Sequence, residues 1–348
     1  MSQIVEEDDD KGLGKKSANA VSGHRLFINN IGYRGPNFTP RKPPGVTRIV
    51  IVGGSAVFDA NARDPNANET RDWPHLVERL LKNQGYNNIE VINAGIPGHA
   101  SFDSLGRLYS QLWIYEPDYV LLYNVWNDIK YFTKLTPEHP LIDEYGPYPG
   151  SNPFIEYQGF WDRLFANSQL YVKLRNHYYG WKFEVGEEGA VPQRRTQDTY
   201  GSYGIRQYRL DVELFVDAAK DIGAEPILIT EATLVSPTNS TEERKLIPYK
   251  YVSLTPTALV RAFDEAYETL RLVAREKKVP LLDLTKEVNG KRALFTDTVH
   301  LTTEGSEKVA SLVAGFLATN LKEQSNSKKT TKFTEIHRNP YNHPPRPG

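Results

Sequence analysis

A serine at the end of a buried strand and an acid three residues before a histidine are the parts of a hydroxyl-activating relay. Ser55 follows the run Arg48-Ile49-Val50-Ile51-Val52 and then Gly53-Gly54. Asp297-Thr298-Val299-His300 lies near the other end of the chain. Ester hydrolysis by serine needs a hydroxyl, a base to take its proton, a group to orient the base, and donors for the oxyanion. His300 is the base of choice among eight histidines because Asp297 stands in local register. His24 and His75 fall in an N-terminal segment and a helix, His139 and His177 in an insertion, His337 and His343 in a tail, and none of these is assigned a carboxylate. Asp297 accepting the ring Nδ1–H would fix the tautomer that turns Nε2 to the serine. Alone, each pattern has a plainer use: a structural or nucleotide-binding turn for Gly-Gly-Ser, a helix-capping Asp beside a surface His for the other.

Two further segments supply candidate oxyanion donors, Asn93-Ala94-Gly95-Ile96-Pro97-Gly98 and Asn124-Val125-Trp126-Asn127-Asp128. The Asn127 amide, the Gly98 N–H and the Ser55 N–H are the expected donors. Asn127 has the commoner alternative of turning the chain. His99 and Trp126 flank the site as candidate pocket residues, with core packing or surface placement as the competing use.

These residues need a scaffold that brings strand ends together. Arg48–Val52, Ile89–Ala94, Tyr119–Val125, Pro226–Thr230 and Leu281–Leu284 are short and almost continuously apolar, as buried parallel strands are. Helices are predicted between them: one capped by Asp72 with Trp73, Val77, Leu80 and Leu81 inward, and one with Phe102, Leu105, Leu108, Tyr109 and Leu112 on one face. Others run from Leu210 to Ile222, from Thr255-Pro256 onward, and from about Thr303 to Leu317. Five βα steps in a row predict an α/β fold with one parallel sheet covered on both faces. Ligands bind such sheets beyond the carboxyl ends of the strands, where Ser55, Gly98 and Asn127 fall.

Residues 1–22 are polar and read as a disordered tail, and 323–348, rich in Lys, Thr, Asn and Pro, as an extended one. Between them, 23–322 is one domain with an aromatic-rich insertion at about 131–207 that includes Tyr145, Tyr148, Trp161, Tyr171, Tyr178, Tyr179 and Trp181. Segments Phe160–Phe165 and Leu170–His177 are candidate short helices within it. Gly14-Lys15-Lys16-Ser17 is not a phosphate loop, since no strand precedes it and Lys holds the Ser/Thr position.

Lysine and arginine total 42 against 43 acids, so no global field draws in nucleic acid or an anionic membrane. No apolar run approaches the roughly 18–20 residues of a membrane span, and no signal-peptide stretch opens the chain. A soluble protein is expected. The chain has no cysteine, which excludes disulfides, thiolate nucleophiles and cysteine metal sites without fixing a compartment.

Taken together the motifs resemble the SGNH (GDSL-like) hydrolases. The blocks look like Val52-Gly53-Gly54-Ser55-Ala56, Asn93–Gly98, Val125-Trp126-Asn127-Asp128 and Asp297-Thr298-Val299-His300-Leu301. Ile28-Asn29-Asn30-Ile31-Gly32-Tyr33-Arg34-Gly35-Pro36 is similar to the Asn-x-x-Gly-Phe-Arg-Gly lead-in of bacterial members. The resemblance implies Ser55 as nucleophile, Gly98 and Asn127 as oxyanion donors, and Asp297–His300 as the acid–base pair. It also implies a flavodoxin-like three-layer α/β/α sandwich with no metal or organic cofactor, in a bacterial cytoplasm or exported with its leader removed. Gly54, a candidate pocket residue, stands in place of the family's usual Asp, a change many members show, and Asn124 stands where Gly is frequent, a change to the pocket wall. Ser55 is not in a Gly-x-Ser-x-Gly elbow, which argues against an α/β-hydrolase.

The expected activity is carboxylic-ester hydrolysis through an acyl-serine, on a glycan or small-molecule ester carrying acetyl or another short acyl group. An O-acyltransferase using the same residues and a catalytically idle glycan-binding module are the alternatives. Nothing in the residues selects an oligomeric state.

Overall fold

The computed structural model describes residues 3–6, 25–62, 64, 70–135, 165, 168, 170–171, 173–174 and 196–336. Strands β1 (Gln3–Glu6) and β2 (Arg25–Ile28) pair antiparallel. The other five form a parallel sheet: β3 (Thr47–Gly53), β4 (Ile89–Gly95), β5 (Tyr119–Tyr123), β6 (Glu225–Ile229) and β7 (Leu281–Leu282), in the order β4-β3-β5-β6-β7. Ile49 to Val52 and Val120 to Tyr123 are wholly buried, so these strands read as apolar runs and not as alternating ones.

This strand order is the flavodoxin-like one, and it reverses direction at β3. From β3 the chain goes to one side to make β4, then crosses back to lay β5 on the other. The crevice past the carboxyl ends of β3 and β5 is therefore the expected ligand site. Register sets those ends level, with Gly53 opposite both Gly95 and Tyr123.

The helices that position the site are α1 (Ser55–Phe58), α2 (Trp73–Asn83), α3 (Ser101–Ser110), α4 (Trp126–Ile129), α5 (Ser202–Asp221), α6 (Pro256–Lys277) and α7 (Thr303–Ile336). α2 packs against α7 on one face of the sheet, while α3, α5 and α6 pack in series on the other. The result is a three-layer α/β/α sandwich. Asp72 caps α2 by accepting the His75 N–H, and Thr255 caps α6 ahead of Pro256 in its first turn.

Several boundaries differ from expectation. The last helix does not give way to an extended tail at 323 but continues to Ile336. No proline interrupts it before Pro340, and a polar stretch without a breaker continues a helix already nucleated by its buried first half. β1 falls within the span expected as a disordered tail, its Ile4 and Val5 opposite Phe27 and Leu26. α5 starts at Ser202, so 202–207 belong to a core-packed helix and not to the insertion, and Tyr208 is buried in it. Tyr109, expected inward, is 64% exposed, because the face of α3 that is buried carries Ser101, Ser104 and Leu108, and the next residue is turned about 100° away from it. Most of the insertion and residues 337–348 lie outside the described residues; of its two candidate helices, Phe165 in the first and Leu170, Tyr171, Lys173 and Leu174 in the second are described, and these are helical.

Candidate active site

Ser55 opens α1 immediately past β3, and Gly54 makes the join. A Cβ on Gly54 would fall 2.7 Å from Asn127 Nδ2 and 2.9 Å from the His99 carbonyl oxygen. Only glycine lets the three segments meet there.

Asp297–His300 occupies a tight loop. Phe295 bridges Leu301, the Thr296 N–H donates to the His300 carbonyl at 2.8 Å, and the Thr298 carbonyl accepts from Leu234 N–H and Thr233 Oγ1 at 2.8 and 2.9 Å. The loop is thus pinned to the segment that follows β6. Within it, Asp297 Oδ1 accepts the N–H of Val299 and of His300, at 3.1 and 3.0 Å. Asp297 Oδ2 lies 2.7 Å from His300 Nδ1, and His300 Nε2 lies 2.8 Å from Ser55 Oγ. The geometry assigns Nδ1–H as donor to the carboxylate and leaves Nε2 to accept the serine proton.

Burial opposes the charged imidazole, but the hydrogen bond and charge of Asp297, with the charges of Glu231 and Asp59, outweigh it and lift His300 above its ordinary value. Burial likewise pushes Asp297 up, and the hydrogen bonds and charge of His300 with the two backbone N–H groups more than reverse it. Ser55 and His300 are half-buried and Gly98 is exposed, so this group meets solvent on one side.

The expected oxyanion donors converge on Gly54 and His99. Ile96-Pro97-Gly98-His99 has the form of a type II turn: His99 N–H donates to the Ile96 carbonyl at 3.2 Å, proline holds the second position, and Gly98 has φ of +84°. Such a turn makes no use of the Gly98 N–H. Asn127 Nδ2 donates to the His99 carbonyl at 2.9 Å and has a second hydrogen to give, while Tyr251 OH donates to Asn127 Oδ1 at 3.4 Å. The amide is thereby oriented from both ends. Asn124 Nδ2 reaches the same His99 carbonyl at 2.9 Å, and its Oδ1 accepts from Ser104 Oγ at 2.8 Å. Asp128 accepts both the N–H and the hydroxyl of Ser101, tying α4 to the start of α3, and burial pushes its carboxyl up to about 8.

The two flanking candidates separate. His99 is half-buried and acts on this cluster through its carbonyl, with burial holding its ring below its ordinary value. Trp126 is 6% exposed and stacks on Tyr251 and Phe263, so it is packed in the core and does not line an open pocket.

Three features were not legible in sequence. Tyr251 and Glu231 reach the Asn127 turn from positions more than a hundred residues away. An acid just past a buried strand, as in Thr230-Glu231, was the one available hint. The third is a correction: His75 also has a carboxylate in register. Asp72 stands three residues before it, with His75 Nδ1 at 2.8 Å from both Asp72 oxygens. The cap on α2 hid the pair.

Among the described residues no group of three or more His, Asp or Glu is placed to hold a metal ion, and no helix is long and apolar enough to cross a membrane. No protein-family model and no curated protein matches the chain. Among solved structures it is similar to an alpha/beta hydrolase enzyme from the metagenome of Lake Arreo, with 13% identity, a TM-score of 0.45, and 78% of this chain and 94% of that one covered. It is similar to a GDSL-like lipase from Bacteroides thetaiotaomicron at 12% identity and a TM-score of 0.43, over 79% and 89% of the two chains. An acetylxylan esterase from Geobacillus stearothermophilus gives 15% identity and a TM-score of 0.44, over 78% and 93%. Likeness at this level says nothing about chemistry, which rests on Ser55, Asp297, His300 and their surroundings.

Proposed function

We propose that this chain is a serine carboxylic-ester hydrolase that forms an acyl-serine at Ser55 and releases acetyl or another short acyl group from a carbohydrate or small ester. One observation carries the reading: the line from Asp297 Oδ2 through the His300 ring to Ser55 Oγ, with contacts of 2.7 and 2.8 Å. Nε2 takes the Ser55 proton as Oγ attacks the ester carbonyl, and Asp297 stabilises the imidazolium. The charge on the former carbonyl oxygen is met by the N–H groups of Ser55 and Gly98 and by the Asn127 amide. Collapse expels the alcohol, which takes the proton from Nε2. Water then repeats the sequence on the acyl-serine, and the acid departs with Ser55 restored.

The substrate class rests on aromatic surface. Tyr251 is 37% exposed beside Asn127, and its ring is an aromatic face on which a sugar ring can stack. The test is release of p-nitrophenol from the acetate, butyrate and octanoate esters by wild type and Ser55→Ala. Hydrolysis that favours acetate and disappears in Ser55→Ala is expected. Equal background rates from the two proteins would overturn the reading.

A further inference from the structure

Glu231 takes no part in the relay, yet it joins both halves of the site. It follows β6 and is 4% exposed. Its Oε2 accepts the backbone N–H of Val125 and of Trp126, the latter at 2.7 Å. Those two amides begin the turn whose next residue is Asn127. Glu231 is itself held: Tyr267 OH donates to its carbonyl at 2.6 Å, and the following Ala232 N–H donates to Tyr123 OH at 2.9 Å. The segment after β6 is therefore fixed between α6 and β5, and the same segment anchors the Asp297–His300 loop through Thr233 and Leu234. A single stretch thus carries the carboxylate under the oxyanion turn and the anchor of the catalytic base.

We propose that Glu231 is a positioning residue: it holds the turn that presents Asn127, and its negative charge favours the His300 imidazolium that forms as Ser55 is deprotonated. The proposal rests on the serine-hydrolase reading above. Burial pushes its carboxyl up to about 7, the two N–H groups it accepts and the charge on His300 oppose that rise, and the carboxylate charge is present as pH passes that value. The ionisable groups that act on it or feel its charge are His300 from the relay loop, Asp128 from α4, Tyr123 from β5, Tyr208 from α5 and Tyr267 from α6. His300 is the one base among them, so removing the charge acts on the base that the mechanism uses. A capping residue with no further role would leave the His300 titration where it was.

Glu231→Gln separates charge from shape, since an amide oxygen can accept the same two N–H groups. Melting temperature, kcat and KM on p-nitrophenyl acetate, the acid limb of kcat/KM, and the His300 imidazole titration by NMR are read on wild type, Glu231→Gln and Glu231→Ala. Glu231→Gln is expected to remain folded with KM almost unchanged, and to lose about tenfold in kcat as the Asn127 donor and imidazolium are less well supported. Its His300 titration and acid limb are expected to move to lower pH by about half a pH unit or more, because a negative charge that favoured the protonated ring is gone. Glu231→Ala, if folded, loses about a hundredfold in kcat because the turn is released as well. A folded Glu231→Gln whose His300 titrates as in wild type overturns the proposal, as does one with unchanged kcat. The NMR titration needs no turnover, so an inactive wild type would sink the esterase reading while the His300 shift still judged Glu231.

Discussion

The molecule contains two Asp-x-x-His pairs, built alike and placed differently. In each, the His backbone N–H and ring Nδ1 both meet the carboxylate three residues earlier, the ring at 2.8 Å in Asp72–His75 and 2.7 Å in Asp297–His300. Asp72 and His75 are buried, with side-chain exposures of 0% and 7%, and Arg34 lies 3.6 Å from the carboxylate. A Cβ on Gly35 would sit 2.2 Å from the His75 ring, so the lead-in backbone closes that ring off. Asp297 and His300 are 42% and 32% exposed, and Nε2 meets Ser55 Oγ. Spacing alone therefore defines a tautomer and not a reaction. What Nε2 faces, and whether a substrate can reach it, decides whether the pair does chemistry or holds helix α2 to the lead-in segment.

The largest expected effect falls on the exposed pair. His300→Ala should lower kcat on p-nitrophenyl acetate by about 10⁴-fold or more with a nearly unchanged melting temperature, since a relay acts as a unit. His75→Ala should do the reverse. It leaves Asp72 buried without its partner, which costs about 3–5 kcal/mol of stability by chemical denaturation, while the folded protein keeps most of its kcat. If His75→Ala lost activity at full stability, the division between the two pairs would fail. Asn127→Ala should cost about 100–1000-fold in kcat with KM little changed, as expected for a donor that acts on the developing oxyanion.

The pH dependence sharpens the same contrast. His300 must be neutral to act as base, and its value is raised, so the acid limb of kcat/KM should lie above the ordinary imidazole value of 6.5. Stability should fall over the same range. Burial raises Asp211 to about 6, Asp59 and Glu231 to about 7, and Asp128 to about 8. Each contributes stability that is complete below the ordinary carboxylate range and is lost as pH rises through the folded value. His75, also raised, adds to the loss, while Asp72, held low despite its burial, contributes a constant amount across this window and loses it only as pH falls below the ordinary carboxylate range. The melting temperature should therefore be higher at pH 5.5 than at pH 8.5, and a rise between them would contradict these buried groups.

The parallel sheet was legible because five buried strands leave five apolar runs, and the Asp297–His300–Ser55 line of contacts because Asp297 and His300 are neighbours and Ser55 follows a strand. The start of α5 was not, since Tyr and Gly at 203–204 read as more of the aromatic insertion. The end of α7 was not, because its polar second half carries no apolar period. That Gly54 sits against the Asn127 amide could not be seen, because the approach is tertiary. Glu231 and Tyr251 are invisible for the same reason: no local spacing announces a contact made across the sheet. Trp126 reads equally well as pocket wall or core, and only its stacking between Tyr251 and Phe263 decides it.

The most direct test of the contrast between the pairs is covalent. Wild type, His75→Gln and His300→Ala are treated with a fluorophosphonate, and the adduct is located by mass spectrometry of proteolytic fragments. A single adduct on Ser55 in wild type and in His75→Gln, lost in His300→Ala, is the predicted result. No adduct on Ser55, or one formed just as fast in His300→Ala, would contradict a serine activated by the exposed pair.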